Sequence, residues 1–360
     1  MPEPLKNNLN YDSIREFALA VQSAYAPFQV DEFLKSTVNE TWDGLELKAR
    51  GRQLTLNLGK HLPPDYKTAI EILYKVSDIY KGWGLFSFPD FVEIFGQDED
   101  NWDVSIAALA KFTEKTSSEF AVRPFIIKHQ QRMMAQMSLW SKSENEHHRR
   151  LSSEGCRPAL PWATAMNSFK KDPSPILPIL EQLKTDPSLY VRKSVANNLN
   201  DISKTHPDLV IKIAKDWLGK DERTDWIVKH ACRTLLKNGN REALALFGLD
   251  NSSAVVSGFA LETAVISIGE TLTFSFLIQA KEDTKVRLEY GVDYVKSSGK
   301  RNRKIFKISE ITLKKDDKKS YSKNHSFADV STRKHYAGTH SITLIVNGSE
   351  NGTLDFELKE

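Results

Sequence analysis

The sequence has only two cysteines, Cys156 and Cys232, in 360 residues. Two cysteines form neither a disulfide framework nor the paired spacing of a structural zinc site. No run of 18 apolar residues occurs, so no membrane span is predicted, and the N-terminal segment lacks the apolar core of a signal peptide. These absences favour a protein of a reducing cytoplasm.

The common signatures of catalysis are also missing. The chain has no Walker glycine loop, no G-x-S-x-G elbow and no H-E-x-x-H motif. His147 and His148 stand near Glu144, but adjacent residues of a helix point to different faces and cannot both bind one ion. The sequence therefore predicts no metal site.

What the sequence does contain is an uneven distribution of charge. The formal net charge is +3, yet residues 1–119 hold 12 basic and 19 acidic side chains, whereas residues 120–240 hold 20 and 12. A second basic region, residues 296–323, holds 11 basic and 3 acidic side chains. Two separated basic regions indicate a polyanion that is bound from two sides. The alternative is a pair of solvated, lysine-rich faces.

The first two thirds of the chain, residues 11–247, have the pattern of helices. Tyr66 to Tyr80 places apolar residues at helical spacing. The pair Asp186-Pro187 predicts a helix start, and Gly219 and Gly239 predict helix ends.

A weak internal repeat of 37 residues lies near the end of this part. Its two copies align Val191-Arg192, Val195 and Leu199 with Val228-Lys229, Cys232 and Leu236. This period is close to that of paired-helix repeats, which stack into a solenoid with a concave surface. Basic side chains expected along one side of it are Arg192, Lys193, Lys229 and Arg233.

The remainder of the chain changes to a period of two. We predict a helical domain at 1–250, a linker at 251–262 and a β-domain at 263–360, where about seven short strands fit an immunoglobulin-like sandwich. A basic loop, Lys296 to Lys304, separates two of these strands. The side chains expected to touch phosphates there are Lys300, Arg301, Arg303 and Lys304; the alternative is a solvated hairpin tip.

Four residues of the helical part are candidates for chemistry. Glu154 lies among Arg149, Arg150 and Arg157 in a segment that two prolines should hold as a rigid loop, and Trp162 follows it. Asp201 ends a polar stripe with residues 194, 197 and 198, which predicts a face that is either exposed or a site. Glu119 precedes a helix start. The structural alternatives are ion pairing for Glu154, core packing for Trp162 and a helix-dipole contact for Glu119.

Long motifs in this region resemble a known family. The segments Arg123–Phe125, Arg149–Gly155, Arg157–Trp162 and Tyr190–Asp201 closely resemble the AlkC branch of the HEAT-like-repeat DNA alkylation-repair glycosylases. The resemblance covers roughly residues 10–250, and the β-rich tail resembles the immunoglobulin-like domain that some members append. It implies an all-α HEAT-like repeat solenoid followed by a small all-β sandwich.

The resemblance also implies an activity. Members hydrolyse the N-glycosidic bond of methylated bases, with 3-methyladenine and 3-methylcytosine as expected lesions, without a cofactor and by kinking the DNA rather than by deep base flipping. By motif match, Glu119, Glu154, Trp162 and Asp201 fall on the active-site positions of the family. We expect a monomer of the bacterial cytosol whose partner is double-stranded DNA carrying alkylated bases. Arg149, Arg150 and Arg157 are expected to bind this DNA together with the basic side chains named above.

Two other classes remain open: a non-catalytic nucleic-acid-binding scaffold and a protein-interaction solenoid. A scaffold gains nothing from three acids on a surface that faces phosphates. Salt-dependent DNA binding would separate the scaffold from the protein-interaction solenoid.

Overall fold

The computed structural model describes residues 3–249, 253–330 and 333–360. Helices occupy the first two thirds of the described chain and strands the last third, as predicted. None of the described helices is long and apolar enough to cross a membrane.

The elements have the following bounds. The α-helices are α1 Tyr11–Ala24, α2 Val30–Thr37, α3 Leu47–His61, α4 Tyr66–Ile79, α5 Ser87–Phe95, α6 Trp102–Thr113, α7 Val122–Lys128, α8 Gln130–Trp140, α9 Glu146–Glu154, α10 Asn167–Lys171, α11 Leu177–Leu183, α12 Leu189–Ile202, α13 Pro207–Trp217, α14 Glu222–Ala231, α15 Arg233–Lys237 and α16 Arg241–Leu246. The strands are β1 Ala254–Leu261, β2 Val265–Ser267, β3 Thr271–Ala280, β4 Thr284–Val295, β5 Arg301–Leu313, β6 Lys318–Ser326, β7 Gly338–Val346 and β8 Ser349–Lys359.

The predicted helices are present, but one predicted helix start is wrong. Helix α4 buries most of the predicted apolar face, but Ile79, its last residue, is 61 % exposed. Asp65 caps the helix by accepting a hydrogen bond from the Thr68 amide at 2.8 Å. Helix α12 begins at Leu189, not at the predicted Asp186-Pro187, because the Asp186 carboxylate accepts from the Ser188 amide in the preceding turn. Gly219 follows α13 with a φ of +80°, a conformation that glycine adopts at little cost.

Two compact units make up the chain. The first comprises Met1–Thr205 with Trp217–Ala231, and the second comprises His206–Asp216 with Cys232–Glu360. Within the second unit the last helices pack on the sandwich: the backbones of Gly239 and Gly348 are in contact. This grouping differs from the predicted boundary at residue 250.

The sandwich consists of two sheets, with strand orders β1-β3-β6 and β2-β8-β7-β4-β5. Apolar side chains from both sheets, including Phe274, Leu288 and Phe356, form its core. Strand β1 occupies residues 254–261, so most of the predicted linker belongs to a sheet; Asn251 and Ser252 of that linker lie outside the described residues. The predicted basic loop is likewise shorter, because β5 begins at Arg301.

One buried histidine links the stability of the sandwich to pH. His325 lies between two tyrosine hydroxyls, with Nδ1 2.9 Å from Tyr290 Oη and Nε2 2.6 Å from Tyr294 Oη. Burial, reinforced by the nearby Arg333, lowers the pKa of His325 from 6.5 to about 4. The folded sandwich therefore holds this ring in its neutral form.

We predict that His325→Gln flattens part of the pH dependence of the sandwich. The unfolded state binds the proton near pH 6.5 and the folded state only near pH 4, so this contribution to stability is complete above pH 6.5 and is lost as the pH falls to 4. The loss is about 3 kcal/mol. Hydrogen exchange in β4 and β6, compared between wild type and variant at equal pH, measures it. If the difference in stability between wild type and variant is the same at pH 7 and at pH 4, the prediction is contradicted.

Candidate active site

Six side chains of alternating charge form a continuous row in the helical unit. The order is Glu119, Arg150, Glu154, Arg157, Asp201 and Lys204, and we call this set the charge row. Its ion pairs measure 2.5 Å for Arg150–Glu119, 3.6 Å for Arg150–Glu154, 2.6 Å for Arg157–Glu154, 2.9 Å for Arg157–Asp201 and 2.9 Å for Lys204–Asp201. The structure therefore brings together the three predicted acids, with basic side chains between them.

Glu154 is the last residue of α9, not part of a loop as predicted. The prolines act only from residue 158 onward, so the helix continues to Glu154. A carboxylate at a helix C-terminus is unfavourable for the helix dipole. Arg150 and Arg157 supply the positive charge that stabilises it.

The polar stripe of α12 is mostly buried: Ser194, Asn198 and Asp201 are buried, and Asn197 is partly buried. It faces α9, where the Ser153 hydroxyl donates to Ser194 Oγ at 2.7 Å and Asn198 Nδ2 donates to the Ser153 carbonyl at 2.8 Å. Asp201 continues this stripe, and its side chain is 2 % exposed. Hydrogen bonds between the two helices thus fix Asp201 relative to Glu154.

Arg157 is the buried link of the charge row. Burial alone would lower the pKa of this guanidinium, but Glu154 and Asp201 more than offset that effect and the net shift is upward. Arg157 therefore stays charged and lies between the two carboxylates in a largely buried site.

Glu119 and Glu154 share a planar cation, the guanidinium of Arg150. Its central carbon lies 5.1 Å from the centre of the Tyr190 ring, and NH1 donates to Ser117 Oγ at 2.8 Å. Burial, with Glu119 and Glu154 nearby, raises the pKa of Tyr190 despite the opposing effect of Arg150. Two carboxylates and a half-exposed aromatic ring therefore surround one delocalised positive charge.

Trp162 is 71 % exposed, which excludes core packing as its role. Its φ of +63° lies in the left-handed region, which is uncommon for a bulky residue. Arg123 holds the flanking chain, since NH1 donates to the carbonyls of Gly155 and Arg157, and NH2 donates to the carbonyl of Thr164. Burial lowers the pKa of Arg123.

Comparison with known proteins relates this geometry to a family. A family model described as DNA alkylation repair enzyme matches residues 98–235, and one described as "Uncharacterised protein YhaZ, C-terminal Ig-like domain" matches residues 255–360. The protein YhaZ of Bacillus subtilis strain 168 is 48 % identical over 355 residues, covering 98 % of this chain and 99 % of YhaZ.

A solved structure matches across both units. It is the alkylpurine DNA glycosylase AlkC of Pseudomonas fluorescens, bound to DNA containing an abasic site analog. The identity is 35 %, the TM-score is 0.94, and the match covers 99 % of this chain and 100 % of that chain. The chain belongs to the AlkC family of DNA alkylation repair enzymes. The expected helical repeat and immunoglobulin-like domain are thereby confirmed.

Several arginines predicted to bind DNA have structural partners instead. Arg149 donates to both oxygens of Asp186, at 2.6 and 3.2 Å, and Arg157 is buried in the charge row. Arg192 donates to two backbone carbonyls before α12. Arg303 lies on β5 opposite Asp293, and its hydrogen bonds to that carboxylate raise its pKa. Spacing alone did not reveal these partners.

Other predicted cations present their side chains to solvent. The exposed positions are Lys193, Lys229, Lys300, Arg301 and Lys304, although Arg301 also donates to Ser341 Oγ at 2.7 Å; Arg233 is partly buried. The charge of Arg333, together with slight burial, Lys296 and Lys237, lowers the pKa of Lys304. An anion next to Lys304 would relieve that repulsion.

Four further residues belong to the site, and none of them was predicted from the sequence. Ser117, Arg123 and Tyr190 contact the predicted acids, their arginines or the chain around them, and Lys204 pairs with Asp201. Arg123 and Tyr190 stand inside the family motifs, which was the available signal. Among the described residues, no group of three His, Cys, Asp or Glu side chains is placed to hold a metal ion.

We predict that Arg157→Met destabilises the protein by about 3 kcal/mol, because it removes the buried guanidinium from between two buried carboxylates. Glu154 then keeps only Arg150, at 3.6 Å, and Asp201 keeps only the partly exposed Lys204. Lys204→Met is the matched control: Lys204 pairs with the same Asp201, but 47 % of its side chain is exposed. Its loss should cost at most about 1 kcal/mol. Thermal unfolding followed by circular dichroism measures both; equal melting temperatures for the two variants would refute the role of Arg157.

Proposed function

We propose that this protein is a monofunctional DNA glycosylase of base excision repair. Its substrates would be the cationic N3-methylated bases 3-methyladenine and 3-methylcytosine in double-stranded DNA, whose N-glycosidic bond it would hydrolyse. Support comes from the family and from the similarity over nearly the whole chain to an alkylpurine DNA glycosylase.

The observation that carries the proposal is the environment of Arg150. Glu119, Glu154 and the Tyr190 ring surround a planar, delocalised cation. A base methylated at N3 is also planar and carries a delocalised positive charge. Carboxylates favour it by charge and aromatic rings by their π faces, an interaction of about 1–2 kcal/mol when desolvated. The same groups would discriminate against neutral, undamaged bases.

The reaction needs no protonation of the leaving group. When the bond between C1′ and the base nitrogen breaks, its electron pair passes to the ring, which becomes neutral. The sugar acquires oxocarbenium character, and water attacks C1′, loses a proton and leaves an abasic site. Fixed carboxylates stabilise the developing positive charge and accept the proton of the water, as in the parallel case of glycoside hydrolysis.

We assign two roles to Asp201 and Glu154, namely positioning the attacking water and stabilising the sugar cation. Asp201 is the more important of the two. Both Asp201 oxygens already accept a hydrogen bond, but each retains a lone pair for a water or a sugar. Trp162 would offer its exposed π face to the lesion or sugar. Glu119 would contact the lesion or support this arrangement.

We predict that Asp201→Asn lowers single-turnover excision of 3-methyladenine about a hundredfold, or about 2.7 kcal/mol. The variant keeps the size of the side chain but removes its charge. Affinity for DNA with an abasic-site analogue should stay nearly unchanged or rise. Quench-flow kinetics and fluorescence anisotropy, both in buffer with EDTA, give the two quantities.

Asp186→Asn is the matched control for this substitution. Asp186 is equally buried and pairs with Arg149, yet it lies outside the charge row. Its excision rate should stay within about twofold of wild type once folding is verified. A wild-type rate in Asp201→Asn, or equal losses in both variants, would remove Asp201 from the mechanism.

The immunoglobulin-like domain would supply a second binding surface for the DNA. We propose that Lys300 and Lys304 bind phosphates, because both are exposed and Lys304 lies near three other cations, Arg333, Lys296 and Lys237. Together with the basic residues of the helical domain, they would add to the electrostatic attraction for the duplex.

We predict that replacing Lys300 and Lys304 by alanine weakens DNA binding and reduces the salt slope of log K by about one unit for each phosphate that is no longer neutralised. The charge-matched control replaces Lys314 and Lys315, which follow the other end of β5. Anisotropy titrations between roughly 50 and 200 mM salt measure both. If the two double variants bind alike at every salt concentration, the region is a solvated hairpin.

A further inference from the structure

The strained peptide of Trp162 needs a stabilising partner. A left-handed conformation at a non-glycine residue costs about 1–3 kcal/mol and persists only where surrounding interactions hold it. The exposed indole ring contributes little packing of its own. Something other than the side chain must therefore fix this backbone.

The surrounding chain gives only part of that support. Arg123 binds the carbonyls of residues 155, 157 and 164, and the Ala163 amide donates to the Leu160 carbonyl at 3.2 Å. None of these bonds reaches the Trp162 carbonyl. A cavity of about 240 Å³, lined in part by Ala163 and Thr164, lies beside the segment. Packing is therefore incomplete on that side.

Lys48, in the first turn of α3, supplies the missing interaction. Its Nζ donates to the Trp162 carbonyl at 2.7 Å, across 114 positions of sequence. The same ammonium lies 4.3 Å from the centre of the Phe120 ring, next to Glu119. One exposed side chain thus joins the two segments that carry Trp162 and Glu119.

We propose that Lys48 is a positioning residue that fixes the Trp162 peptide and thereby aims the indole ring at the lesion. The aim of the ring matters only if Trp162 touches the lesion, so this inference rests on the proposed function. Lys48 itself would touch neither base nor sugar.

The test compares Lys48→Met, which keeps the length of the side chain without the ammonium, with Lys48→Arg, which can still donate. Lys60→Met, at the other end of α3, is the matched control. The full chain is labelled with 5-fluorotryptophan, and the resonance of Trp162, one of seven tryptophans, is identified by its absence in Trp162→Phe.

In Lys48→Met the fluorine resonance of Trp162 should shift or broaden while those of the other tryptophans stay in place. Single-turnover excision of 3-methyladenine should fall about tenfold, with affinity for abasic-analogue DNA within about threefold of wild type. Lys48→Arg should show the wild-type Trp162 resonance and the wild-type excision rate. Lys60→Met should change neither quantity.

An unchanged Trp162 resonance in Lys48→Met would overturn the proposal, because Lys48 would then not fix the position of the ring. This measurement needs neither DNA nor catalysis. A shifted resonance with wild-type excision would overturn it as well, since the position of the ring would then not serve the reaction. If the wild-type protein excised nothing, the proposed function would fail, while the resonance would still decide whether Lys48 holds Trp162.

Discussion

The site depends on one buried guanidinium, that of Arg157, held between Glu154 and Asp201. It joins the end of α9 to the last turn of α12 and fixes the distance between two carboxylates in a region that excludes most water. Without this guanidinium, the two buried carboxylates would repel each other. The guanidinium between the two carboxylates offsets that repulsion.

The other parts of the site extend this arrangement to the surface. Arg150 continues the alternation of charge to Glu119, and Arg123 ties the chain after α9 into the turn that exposes Trp162. A region that is buried on the side of α12 thus becomes exposed at the tryptophan. Under the proposed function, the damaged base would meet the exposed tryptophan while the carboxylates stay largely buried.

The sequence predicted the elements better than the interactions between them. Periodicity was sufficient for α4 and for the strands of the sandwich, since burial there follows local pattern. Burial of the α12 stripe was not predictable, because a polar face normally indicates solvent. Its partners include the serine and carbonyl groups of α9 and the cations Arg157 and Lys204, which lie outside α12. The partners of Arg149 and Arg303 and the bond from Lys48 to Trp162 connect distant positions, which composition and spacing do not report. The family motifs supplied the four candidate residues.

The most direct test of the account is the identity of the bases that the protein releases from DNA. Randomly methylated duplex DNA is incubated with the full chain in EDTA, and the free bases are separated by chromatography. The account predicts release of 3-methyladenine and 3-methylcytosine, both cationic in DNA, while neutral adducts such as O6-methylguanine stay attached. Absence of any free base, or equal release of neutral and cationic adducts, would contradict it.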